Sequence, residues 1–125
     1  MNILYYWFPP IAWMGMIFYM SSQKSISIST NTVTEFFTFK TLHMIEYALL
    51  FFLLYRALQS LHFFHKNICG LSAFCITILY SIVDELHQLS IPTRQGRLRD
   101  ILFDIVGMLV MYVIIRKVRL IQKLL

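Results

Sequence analysis

Four apolar runs, separated by three shorter polar stretches, organise the chain. They cover about residues 3–20, 40–58, 68–89 and 98–115. The uncharged part of each run is shorter than the ~20 residues a full membrane span needs. The polar turns at the ends must therefore complete each crossing, which places them within the membrane boundary. The pattern predicts an all-α membrane protein: four transmembrane helices in a compact bundle, forming one domain over residues 1–125, with both termini cytoplasmic.

The connections fit this reading. Residues 21–32 form a polar, serine-rich loop, and residues 33–39 predict a short aromatic turn of helix at the interface. Pro92 and Gly96 mark residues 91–97 as a turn. Pro9 and Pro10 near the start of the first run are tolerable in a first turn or as a kink. That run has neither the basic start nor the cleavage pattern of a signal peptide.

In an up-down series, the end of run 1, the start of run 2, the end of run 3 and the start of run 4 share one side. All the acidic residues fall there: Glu35, Glu46, Asp84, Glu85, Asp100 and Asp104. His43, His87, Gln88, Lys40, Arg94 and Arg97 join them. The opposite side carries only basic charges: Arg56, Lys66, Arg116, Lys117, Arg119 and Lys123. Cytoplasmic flanks are enriched in Lys and Arg, so the basic side is placed inside and the mixed side outside.

Composition supports a lipid setting. The chain is 58% hydrophobic and 14% charged, against the ~25% charged usual for soluble domains. The net charge of +5 does not imply nucleic acid, because no basic stripe lies on a water-facing helix. It fits a carboxy-terminal segment lying against anionic inner-leaflet lipid. Cys69 and Cys75 are six apart in the third run. That spacing does not place them on one helical face, and both read as small, buried apolar residues.

Ionisable residues inside a membrane are costly and mark functional candidates. In the second run, Lys40, His43, Glu46 and Tyr47 are spaced by three or four and share a helical face. In the third, Asp84 faces with His87 and Gln88, while Glu85 points about a third of a turn away. In the fourth, Asp100 suits a first helical turn, where exposed amides favour an acid. Asp104 lies deeper, where an ionised carboxylate costs ~2.5–3.5 kcal/mol. It must pair with a cation, bind a metal or be protonated, and Arg94, Arg97 and His43 are the candidates to meet it. If the polar ends form one site, His43, Gln88 and Asp104 lie close together. Ser21 and Ser22 become candidate nucleophiles only where the fold brings them to His43 or His87. The carboxylates and histidines include zinc and manganese ligands. No H-E-x-x-H or cysteine-rich spacing supports a metal site, so none is assigned and the cofactor is left open.

These pieces, in order, resemble the VanZ-like membrane proteins. The resemblance rests on Phe18-Tyr19-Met20-Ser21-Ser22-Gln23, then Lys40-x-x-His43-x-x-x-Tyr47, then Asp84-Glu85-x-His87-Gln88. It continues through Pro92-x-Arg94, Arg97, Asp100, Asp104 and Gly107. The family usually has glycine between the proline and the arginine, where this chain has Thr93. The resemblance implies a small, multi-pass bacterial cell-membrane protein. The family's founder is linked to low-level teicoplanin resistance, so the expected setting is the cell envelope.

Two functional classes follow. In the first, an outward-facing cleft binds or acts on an anionic or lipid-linked envelope component. His43, Asp84, Glu85, His87 and Asp104 handle protons as candidate catalytic residues. Lys40, Tyr47, Gln88, Arg94, Arg97 and Asp100 hold the ligand. In the second, the same residues form an interhelical lattice that fixes the bundle without catalysis. A small proton-coupled transporter is a further alternative.

Overall fold

The computed structural model describes residues 3–23, 32–91 and 99–118, without the side chains of residues 32 and 34–36. Its helices are α1 (Ile3–Ser22), α2 (Thr32–Gln59), α3 (Lys66–Leu89) and α4 (Asp100–Lys117). Long apolar segments take this form because a helix pairs its backbone N–H and C=O groups within itself, without help from water.

The expected interfacial turn at residues 33–39 is not a separate element. It forms the opening turns of α2, a continuous helix of 28 residues. No proline or glycine interrupts residues 32–59, so nothing breaks the hydrogen-bond ladder. At 1.5 Å per residue α2 is about 42 Å long, more than a ~30 Å hydrocarbon core requires. α1 likewise runs through Pro9 and Pro10. Between α2 and α3 the chain reverses at His62, whose φ of 55° lies in the left-handed region. Histidine is among the non-glycine residues that enter it more readily.

Successive helices run antiparallel, and α2 is the central one. It packs against α1, α3 and α4, whereas α1 and α4 do not meet among the described residues. Tyr47, Leu50, Phe51, Leu54 and Tyr55 form its buried stripe, at the three-and-four spacing of one helical face. Ile17, Cys69, Ala73, Met108 and Ile115 close on that stripe from the other helices. The tightest approach is between α2 and α4. A Cβ on Gly107 would overlap the Met44 carbonyl oxygen and lie 2.9 Å from the Met44 Cγ. Only glycine lets these backbones come so close.

Two segments, Phe37–Gln59 and Lys66–Leu89, are long and apolar enough to cross a membrane. Only 22% and 33% of their most apolar windows are buried in the bundle. The outward faces therefore present bulky apolar side chains, among them Leu71, Leu79, Val83 and Leu86. A soluble core helix would hide such residues. α1 carries no charged residue, and α4 carries Asp100, Asp104, Arg116 and Lys117 in 18 residues. Cys69 is buried and Cys75 is exposed on the outer face, and both are free thiols. The expectation that both are buried holds for Cys69 alone.

Candidate functional site

The polar ends of all four helices meet. On α3, Thr77, Ser81, Asp84 and Gln88 recur every three or four residues and are all buried. This stripe faces the interior because α3 is packed by α1, α2 and α4. Gln88 Nε2 donates to Asp84 Oδ2 at 2.9 Å and to the buried Ser21 Oγ at 3.4 Å. Ser81 Oγ donates to Asp104 Oδ2 at 2.5 Å. Helices α1, α3 and α4 are thereby tied through side chains alone.

α2 and α4 run parallel, so their polar turns pair in register. Lys40 Nζ forms an ion pair with Asp100 Oδ2. One turn deeper, His43 Nδ1 lies 3.9 Å from Asp104 Oδ1. The His43 ring is nearly parallel to the Tyr47 ring, 11° between planes and 6.3 Å between centroids. Tyr47 is fully buried. Its hydroxyl faces Asp84 without reaching full hydrogen-bond geometry. Glu85, Asp84 and Asp100 are further carboxyl groups close enough to act on Asp104 electrostatically.

At the rim, Ser22 Oγ lies 3.0 Å from His87 Nε2. The same hydroxyl donates to the Phe18 carbonyl at 2.7 Å. With its proton committed there, Ser22 accepts from a protonated Nε2. If the hydroxyl rotates toward a neutral Nε2, it becomes the donor. Phe18 stacks on His87 at 4.3 Å between centroids and fixes the imidazole plane. Trp13 Nε1 to the Glu46 carbonyl (3.0 Å) and Tyr80 Oη to the Met14 carbonyl (2.5 Å) hold α1 in place about two turns below the rim.

A small cleft of about 80 Å³ opens between α1 and α2, lined by Met20, Ser21, Phe39, Leu42, His43 and Glu46. At ~30 Å³ per water it has room for two or three. Among the described residues, Asp84 Oδ1 and Asp100 Oδ1 have no hydrogen-bond partner. A buried carboxylate oxygen without a donor is costly, so these atoms call for a cation, a proton or water.

The structure thus gathers Lys40, His43, Tyr47, Asp84, Glu85, His87, Gln88, Asp100 and Asp104 at one end. Arg94 and Arg97 lie outside the described residues. His43 and Asp104 meet, whereas Gln88 joins the cluster through Asp84 and Ser21 rather than directly. Glu85 is 3% exposed, so the arc of α3 that is covered is wider than one stripe. Ser81 was not singled out from the sequence. Its position three residues before Asp84 and seven before Gln88 was the available signal. Among the described residues no group of three or more His, Cys, Asp or Glu is placed to hold a metal ion.

No curated protein and no solved structure matches the chain. The VanZ/LLP1 family model matches residues 6–122, nearly the whole length, including every residue of the polar cluster. This chain, with its buried polar end built from four helices, belongs to the VanZ/LLP1 family.

Proposed function

We propose that this is a multi-pass cell-membrane protein in which all four helices cross the bilayer, both termini are cytoplasmic, and the polar end faces outward. That end is a cleft that binds or acts on an anionic, lipid-linked component of the cell envelope. The observation that carries the reading is the convergence of side chains from all four helices on one buried polar cluster. Polar groups at membrane depth are retained where they have work to do.

In this reading Arg94, Arg97 and Lys40 supply positive charge for the anion. Asp100 positions Lys40, and Tyr47 and Gln88 orient the carboxylates. His43, His87, Asp84, Glu85 and Asp104 are the proton-handling groups, of which His87 lies nearest the rim beside Ser22. An effect on teicoplanin susceptibility would follow from altered handling of an envelope precursor.

A lattice reading has its own support. The Ser81–Asp104 and Gln88–Ser21 bonds are buried and, with the Lys40–Asp100 pair, join helices, as structural clamps do. Detergent thermal stability, measured beside teicoplanin susceptibility in cells where the wild type alters it, separates the two. His87→Ala and Arg94→Ala should lose function while keeping most stability; for His87, the groups left behind at the rim can be resolvated. Full retention of function in both variants would leave the lattice.

A further inference from the structure

At the opposite, basic end, α3 and α4 leave a groove between them. We infer that this groove is a binding site for one anionic phospholipid, with an acyl chain between the helices and the phosphate at the Arg116 end. The inference rests on the membrane reading but is independent of the polar cleft.

The groove has a volume of about 250 Å³. Its floor and walls are Phe51, Gly70, Leu71, Phe74, Leu109 and Tyr112. Gly70 is the reason for the space: it puts no side chain where α3 passes α4. A Cβ there would come no closer than 3.5 Å to the Tyr112 and Tyr55 rings. Phe51 stands edge-on to both Phe74 and Tyr112, at 6.4 Å in each case. Such aromatic walls suit a hydrocarbon chain and offer it no hydrogen-bond partner.

Polarity changes at the mouth. Asn67 lines the groove there. Arg116 Nη2 donates to Asn67 Oδ1 at 3.4 Å, and its guanidinium lies 5.5 Å from the Tyr112 ring centroid. The wall residue Tyr112 therefore also stations the cation. Lys66 and Lys117 are exposed at the adjoining helix ends. Arg119 and Lys123 follow in the sequence. No acidic residue occurs on this side of the chain. A guanidinium is matched to phosphate in shape and charge, and basic pockets between helices on the cytoplasmic side suit anionic headgroups. Charge and apolar space thus lie end to end, in the order a phospholipid presents them. A second copy of the chain would bring another basic rim to the same place and is disfavoured.

The test is native mass spectrometry of the purified protein with added phosphatidylglycerol or phosphatidylcholine of identical chains. Vesicle flotation is run in parallel. One phosphatidylglycerol should bind at least about fivefold more tightly than phosphatidylcholine, the factor expected for a single basic residue near the headgroup. Arg116→Gln should erase the preference, and Gly70→Leu should lower binding of both lipids by filling the groove. If Arg116→Gln fails to fold, Gly70→Leu decides alone. Equal binding of the two lipids by the wild type would overturn the proposal. So would a preference that survives in both variants, or a lipid-free dimer in place of the lipid-bound monomer. Failure to float with vesicles would instead defeat the membrane reading beneath it.

Discussion

Replacing Gly107 with alanine tests whether the polar cluster depends on how closely α2 and α4 approach. A Cβ at position 107 would lie 2.9 Å from the Met44 Cγ and 3.0 Å from its carbonyl carbon, and would overlap the carbonyl oxygen. The side chain can rotate away, but the carbonyl belongs to a helix and cannot. Reaching ordinary contact with that oxygen requires α4 to move outward by about 1 Å or more, at the ~1–3 kcal/mol typical of overpacking. The same movement pulls Asp100 from Lys40 and Asp104 from His43, since these pairs bridge the same two helices. The control is Gly15→Ala on α1, where a Cβ meets nothing within 4 Å. There the helix-propensity gain of ~1 kcal/mol is unopposed. Thermal denaturation in one detergent should show Gly107→Ala melting several degrees below wild type and Gly15→Ala at or above it. A Gly107→Ala protein as stable as wild type would refute the close-approach argument.

Three further outcomes follow. Lys40→Ala should cost ~3–5 kcal/mol because it leaves Asp100 buried and uncompensated, and Lys40→Ala/Asp100→Asn should recover part of it. A double-mutant cycle on thermal stability checks this, and strict additivity would deny the pair. Ser81→Ala should cost ~1–3 kcal/mol by removing the donor to Asp104, while Ser22→Ala at the half-exposed rim should cost less; equal losses would contradict the burial gradient. With Cys69 and Cys75 replaced, a cysteine at Asn31 or Gln95 should react with an impermeant thiol reagent in intact cells and one at Lys66 should not. Labelling at Lys66 alone would invert the orientation.

The helices were legible because apolar runs and their interruptions are local features of the chain. The continuity of α2 was less so. The aromatic and threonine-rich residues 33–39 look interfacial by composition, yet only a proline or glycine would have ended the helix there. The faces of the site were legible from three-and-four spacing, which grouped Lys40, His43 and Tyr47 on α2. The same rule extends the α3 stripe upstream to Ser81, a residue passed over because serine attracts less notice than an acid. Which groups touch was not legible. Pairing Lys40 with Asp100 and Ser22 with His87 depends on helix register, set by contacts such as Gly107 on Met44. Glu85 was expected to point aside, but α3 is covered from several directions, so a residue off the main stripe is also buried.

On the function proposed above, the outward polar end binds an anionic, lipid-linked envelope component. The most direct test is native mass spectrometry of the protein extracted with its own membrane lipids, for wild type, Arg94→Gln, His43→Ala and Gly70→Leu. The wild type should carry a stoichiometric anionic lipid-linked species. Arg94→Gln and His43→Ala should lose it with helical content intact, and Gly70→Leu, altered at the other end, should keep it. A wild type without such a species, or one whose species survives both polar-end variants, would contradict the claim.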